Sequence, residues 1–287
     1  MDETSRAIET LTLLEQYIAQ TKMQLEATRA KQAAIESFLS QPRPKEIKHL
    51  ATYFAQEHGL LLEAHTSGKL SADYRLAKTI WNNYDTVRPF LQVLLQCVKA
   101  KRPAFLYPEE ALPPIEQTEM PTLLTFCNTL KQRAFLSAKK RGQRLEITLE
   151  KPDRMFLDGQ WAEYVTRYLI DVTLKEITAE RKLPYRLFSN LKFKRPGEEQ
   201  KTAMELDVVA QIGDRFYIFE TKSGVVPNVI KWVDRSRFFS PNIHSRSRYF
   251  MCTPRDEFNC QHFRPLYLLT FKQMKTELAK IIRHDFA

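Results

Sequence analysis

Met204-Glu205-Leu206-Asp207-Val208-Val209-Ala210-Gln211-Ile212-Gly213-Asp214-Arg215-Phe216-Tyr217-Ile218-Phe219-Glu220-Thr221-Lys222 reads as two strands around a tight turn. Both arms are rich in β-branched and aromatic residues, and Gly213-Asp214 is a two-residue turn signal. With that pair as the loop, Ile212 faces Arg215. Counting outward sets Asp207 opposite Glu220 and Glu205 opposite Lys222. Cross-strand partners share a face, as do positions two apart along a strand. Glu205, Asp207, Glu220 and Lys222 therefore gather at one end of one sheet face, with the apolar Val209 and Ile218 next along it.

Directly opposed carboxylates, with Cβ atoms roughly 5 Å apart, repel each other and weaken a hairpin. A divalent cation between them turns that cost into a binding site, and Mg²⁺ suits such hard oxygen ligands while keeping waters in its other positions. A metal there polarises a phosphate oxygen and acidifies a bound water. A lysine alongside orients that water and offsets the charge growing on the phosphate. Two carboxylates and a lysine are thus a sufficient minimum for phosphodiester hydrolysis.

Upstream stands Phe156-Leu157-Asp158-Gly159-Gln160-Trp161-Ala162-Glu163-Tyr164-Val165, a GxWxE segment opening a helix. Together with Asp207 and the Glu220-Thr221-Lys222 triplet it resembles the PD-(D/E)XK nucleases. The likeness is to the branch found in CRISPR-ancillary nucleases, which join such a domain to a cyclic-oligonucleotide sensor. It covers about residues 156–270 and reaches back toward Thr122. The resemblance implies that Asp207 and Glu220 hold Mg²⁺ or Mn²⁺ and that Lys222 serves the attacking water. It further implies that Glu163 is an acidic ligand, directly or through water, and that Glu205 supports the site. Glu163 lies away from the Trp161/Tyr164/Val165/Tyr168 stripe and shares a face with Thr166, Ile170, Leu174 and Ile177. A helix with both stripes must be buried on two sides, the second against the sheet.

Around this centre the expected class is α/β: a C-terminal restriction-endonuclease-like mixed sheet flanked by helices, after a mainly helical N-terminal region. Residues 186–195, 204–211, 216–221, 247–252 and 266–270 read as strands. A helix is expected from Pro227 to about Phe239, and a closing helix over 272–283. The expected divisions are a long amphipathic helix over 1–42, a helical region with a Pro-rich linker over 43–120, a helix-strand segment over 121–150 and the nuclease domain over 151–287. In the first helix Leu11, Leu14, Ile18, Leu25, Ile35 and Leu39 follow a 3-4 heptad track, with Thr21, Thr28 and Gln32 at its polar positions. That track either pairs two subunits as a homodimer or packs on its own protein. Residues 45–101 read as further helix, and five prolines from Pro103 to Pro121 mark a linker. Lys139-Lys140-Arg141-Gly142 reads as a basic turn before a strand, either part of a winged helix or packing on a neighbouring domain. No glycine-rich strand-helix alternation marks a sensor domain in the first 120 residues.

The formal charge is +10, and residues 151–287 hold 24 Lys+Arg against 17 Asp+Glu, leaving +7 there. A basic excess suits a polyanionic partner, with nucleic acid the expectation and DNA favoured. Lys192, Lys194, Lys231 and Arg235 are candidate phosphate contacts, or else solvated basic residues. Arg237, Arg246 and Arg248 extend the same choice. No run approaches the apolar length of a membrane helix, so no membrane partner is expected. The acidic, polar start is not a secretory signal, and Cys97, Cys127, Cys252 and Cys260 form no CxxC pair, so a cytoplasmic protein with reduced thiols is expected. Cys252, Cys260 and His262 match no zinc spacing. His244 and His262 read as structural or exposed, and Phe238, Phe239 and Tyr249 as core. The expected function is a Mg²⁺/Mn²⁺-dependent endonuclease in a defence or mobile-element setting. The alternatives are a nucleic-acid-binding or scaffold protein that keeps the fold without cutting, and a coiled-coil adaptor.

Overall fold

A computed structural model describes residues 3–67, 71–110, 112–198, 202–223, 229–241, 245–254, 262–263 and 265–287. Pro227, His244 and Cys260, which the sequence singles out, lie outside them. The fold is mixed α/β with a helical N-terminal region, as the sequence leads one to expect. The chain forms two compact units, one of residues 1–66 and 189–206 and a larger one of 67–188 and 207–287.

The smaller unit begins with α1 (Glu3–Ser40), ended by the Pro42/Pro44 segment, and α2 (Lys45–His58). Gly59, at φ +61°, closes α2 by directing its N–H to Ala55 O. Glycine takes that left-handed geometry without a Cβ penalty. The next apolar run is not helical, contrary to expectation. It forms β1 (Leu61–Ser67), which lies beside β5 (Tyr185–Lys194), itself followed by β6 (Met204–Ile212). Short apolar runs carry no period that separates a strand from a buried helix turn. Phe38, Ala51, Ala55 and Leu61 make this unit's small core, with Ile35 and Leu39 packed on it. The foot of α1 thus packs on its own unit, while Leu11, Leu14, Ile18 and Leu25 are exposed by half or more.

In the larger unit, α3 (Ser71–Asn82) and α4 (Tyr84–Lys99) precede β2 (Ala104–Tyr107). The expected Pro-rich linker therefore contains a strand, paired antiparallel with β4 (Arg144–Leu149). After α5 (Met120–Lys131), β3 (Leu136–Arg141) completes a three-stranded sheet in the order β2-β4-β3. Lys139, Lys140 and Arg141 finish β3 instead of forming the turn, which is Gly142-Gln143. All three are exposed. Arg144 donates to the carbonyls of Pro108, Glu109, Glu110 and Leu112, which ties the proline segment down.

A π-helical turn, Phe156–Gln160, leads into α6 (Trp161–Arg181). Helix α6 is buried on two sides as its twin stripes require: Trp161, Val165 and Leu169 on one, Thr166, Ile170, Leu174 and Ile177 on the other. Each fully buried aliphatic side chain contributes roughly 1.5–3 kcal/mol. The main sheet here runs β6, β7 (Arg215–Thr221), β8 (Ser247–Thr253), β10 (Leu266–Thr270), β9 (His262–Phe263). Strands β6 and β7 are antiparallel, whereas β7, β8 and β10 are mutually parallel neighbours. Helix α7 (Val229–Phe239) lies between β7 and β8 in the chain, and α8 (Phe271–Asp285) follows β10. The face of β6 and β7 carrying Val208, Ala210, Tyr217 and Phe219 joins one core with α6 and α8 residues. The buried Arg248–Asp285 pair, at 2.9 Å, and Tyr217 Oη, 3.1 Å from Asp285, fasten α8 to the sheet. Cys97, Cys127 and Cys252 are buried and unbridged.

Candidate active site

The β6–β7 register is the one the turn predicts, from Ile212↔Arg215 out to Val208↔Phe219. One step further sets Asp207 opposite Glu220, and the two side chains interact. Asp207 Oδ2 also accepts the Thr221 N–H at 2.7 Å. Strand β7 ends at Thr221, so the predicted Glu205–Lys222 pair falls beyond it. Lys222 instead directs its N–H to Cys252 O at 2.9 Å.

Side-chain alternation then divides the strand end. Thr221 is buried and donates its hydroxyl to Thr166 Oγ1 of α6 at 3.0 Å. Glu220, one residue earlier, faces the other way, where Arg235 of α7 makes a short hydrogen-bonded ion pair with it. The Glu220 side chain is only 3% exposed. Burial pushes its carboxyl up to about 8, Asp207's charge adds to that, and Arg235 and Lys222 oppose it. Lys222 Nζ stands 3.9 Å from Glu220 Oε2 and 4.9 Å from the centre of the Trp232 ring. The Arg235 guanidinium is 5.5 Å from the same ring. Trp232 therefore braces the two cations that flank the acid pair, at cation–π range.

Glu163 is half-buried and lies on the α6 side. It lines a cleft of about 670 Å³ with Thr221, Lys222 and Ser223. Among the described residues no three His, Cys, Asp or Glu side chains stand together as a metal cluster. The structure thus brings Asp207, Glu220 and Lys222 together and sets Glu163 beside Lys222 without making it a third ligand of the pair. The other parts of the GxWxE segment have packing roles. An added Cβ at Gly159 would stand 3.2 Å from Ser223 Oγ, which itself donates to Asp158 O at 3.1 Å. Trp161 is buried against the Tyr84 ring, centroids 6.3 Å apart.

Of the other candidates, Lys192 and Glu205 stand 4.0 Å apart in the smaller unit, both exposed, and Lys194 is half-buried there. Lys231 is exposed, with its Nζ 6.0 Å from the Trp232 ring. Arg235 is an acid partner here, not an open phosphate grip. Arg248 is likewise engaged with Asp285. Phe239 and Tyr249 are core, stacked at 5.7 Å, whereas Phe238 is 44% exposed. Sequence reasoning passed over Trp232 and the cations that α4 brings to the cleft, Arg88 and Lys99. The signal for the latter was the i, i+4, i+7, i+11 spacing of Arg88, Gln92, Leu95 and Lys99.

The donor set suits a small hard cation: two facing carboxylates, one of them nearly buried, with hydration left to fill the remaining positions.

The fold is thus a mixed α/β one, with the acid pair at the open end of the β6–β7 hairpin. Among solved structures, protein VC1899 from Vibrio cholerae is similar to it at 17% identity and a TM-score of 0.50, over 82% of this chain and 61% of that one. Can2 from Sulfobacillus thermosulfidooxidans, solved in complex with cyclic tetra-adenylate, is similar at 13% identity and a TM-score of 0.50, over 80% and 59%. The chain spans about 60% of the length of these two proteins, and at such identities the likeness is one of fold. No family model matches the chain, and no curated protein matches it. No helix among the described residues is long and apolar enough to cross a membrane.

Proposed function

We propose that this protein is a metal-dependent endonuclease that hydrolyses phosphodiester bonds in nucleic acid, DNA first, in a cytoplasmic defence or mobile-element setting. The observation that carries the reading is the Asp207–Glu220 pair, held face to face by the β6–β7 register with Lys222 beside it. Asp207 and Glu220 would hold Mg²⁺ or Mn²⁺, which when bound supplies Lewis acidity to a phosphate oxygen and to a water. The Thr221 N–H fixes the rotamer of Asp207, which orients its second oxygen. Lys222, 34% exposed at the cleft, is placed to orient the attacking water and to offset phosphate charge. Glu163 lines the same cleft as Lys222 and would serve that water or a hydrated ion from there. The fold likeness to a protein solved with cyclic tetra-adenylate supports the defence setting. The resemblance at Phe156–Gln160, Trp161 and Glu163 supports the same branch.

A second reading has its own observation. Arg235 already pairs with Glu220, in the place a metal ion would take, and that suits a protein that binds nucleic acid without cutting it. Plasmid nicking in Mg²⁺ separates the two. The parent should nick, and Asp207→Ala and Lys222→Ala should each lose at least a hundredfold in rate. Salt-sensitive binding with no nicking by the parent would establish the second reading instead.

A further inference from the structure

The cleft beside Lys222 has a second wall that the acid pair does not explain. It is one face of α4, where Arg88, Gln92, Leu95 and Lys99 recur at helical spacing. From Arg88 to Lys99 the helix rises ~16 Å. Lys99 is 52% exposed and pairs with Asp158 at 2.9 Å, but Arg154 shares that carboxylate at 3.3 Å. Asp158 is held below its usual range chiefly by the Lys99 hydrogen bond, so it stays charged and fixes the Lys99 side chain at the cleft. Arg88 lies over the edge of Tyr84, 5.9 Å from its ring centre, at the other end of the stripe. The acidic groups Asp158 and Glu163 line the same cleft, Asp158 at its Lys99 end, where Lys99 and Arg154 share its charge.

We infer that this cleft takes a single strand of nucleic acid, with its phosphates along the Arg88–Gln92–Lys99 face of α4 and its scissile bond toward Lys222. The inference rests on the nucleic-acid reading above and adds the strandedness of the substrate and the residues that position it. Size decides between one strand and two. A space of about 670 Å³ is in the range of small-molecule sites, which accommodate a nucleotide or two. A duplex, whose grooves alone are roughly 6–12 Å wide, does not enter it without opening. Arg88 and Lys99 act as positioning residues, because neither touches the acid pair.

The test measures binding without turnover: fluorescence anisotropy of labelled single-stranded DNA, single-stranded RNA and blunt duplex in EDTA. Single strands should bind at least tenfold tighter than duplex. Arg88→Glu and Lys99→Glu should each weaken single-strand binding about tenfold and flatten its salt dependence by ~0.7 per lost contact. Gln92→Lys, at an exposed position on the same stripe, should tighten binding several-fold, which no unfolding artefact can mimic. Lys280→Glu, on α8 and paired with Glu277, serves as the charge-matched control and should bind as the parent does. Equal affinity for duplex, or charge reversals that match the control, would overturn the inference while leaving a nicking activity untouched. Binding as expected with no nicking under Mg²⁺ would uphold it and remove the nuclease reading. Absence of any nucleic-acid binding by the parent overturns both.

Discussion

Asp207 and Glu220 illustrate a site that weakens the fold carrying it. Their charges face one another across a hairpin, and Glu220 is nearly buried, which is why its carboxyl rises to about 8. A carboxyl whose folded-state value lies above its unfolded one contributes stability at low pH and loses it as pH rises through about 8. Removing one charge should therefore stabilise the metal-free chain. Asp207→Asn keeps an oxygen for the Thr221 N–H, so it should raise unfolding stability at pH 8 by about 0.2–1 kcal/mol. Mg²⁺ should raise the melting temperature of the parent and leave that of the variant unchanged. Urea titrations in EDTA measure the first effect, and thermal melts with and without Mg²⁺ the second. A variant less stable than the parent in EDTA would remove the repulsion argument. At Gly159 the constraint is one of space, since an added Cβ would stand 3.2 Å from the Ser223 hydroxyl and press on its bond to Asp158 O. Gly159→Ala should cost about 1–3 kcal/mol in the same assay.

At the scale of elements, the hairpin was legible because a turn signal, an alternation and a charge pair all specified one register. Helix α6 was legible from its two stripes, whose burial the structure bears out. What escaped reading were β1 and β2. Leu60-Leu61-Leu62 has no period, and Ala104–Tyr107 lies among prolines that local reasoning assigns to a linker; only the pairing with β4 makes it a strand. Arg235 was legible as a cation near the site but not as the partner of Glu220, since that contact depends on how α7 lies over the sheet. The α4 face escaped because its residues are distant in sequence from the motif they serve. Helix α1 carries the remaining element-level prediction. Ile35, Phe38 and Leu39 at its foot are engaged in their own unit, whereas Leu11, Leu14, Ile18 and Leu25 remain exposed on one heptad track. Pairing of that track with a second copy of this chain is the prediction, with Thr21, Thr28 and Gln32 as its weak polar positions. Light scattering should show a dimer at tens of micromolar, and Leu14→Glu with Ile18→Glu should give a monomer. A parent that stays monomeric at high micromolar concentration would remove the pairing.

For the whole molecule, the formal charge of +10 suits a polyanionic partner, and the proposed nucleic-acid binding should fall with salt. Acid sensitivity should come from His58, which lies against Tyr53 and Phe54 and whose burial lowers it to about 4. Above about pH 6.5 the ring is neutral in both states and nothing is lost. As pH falls from there toward about 4, the unfolded chain takes up a proton that the folded one resists, so stability declines. Because Glu220 acts in the opposite direction over the same window, the sign of the net change is not the test; His58→Gln should lose less, or gain more, in urea midpoint than the parent between pH 7 and pH 4.5. An unchanged slope in the variant would assign the acid sensitivity elsewhere.

The long bare stretch of α1 has a last consequence. Its local support is a few hydroxyl and amide bonds within the helix, such as Thr21 to Tyr17 O and Gln32 to Glu36. A helix so supported frays readily in water. Trypsin should therefore cut at Lys22, Arg29 or Lys31 rapidly in dilute solution and slowly in concentrated solution. Concentration alone would then set the lifetime of the intact chain.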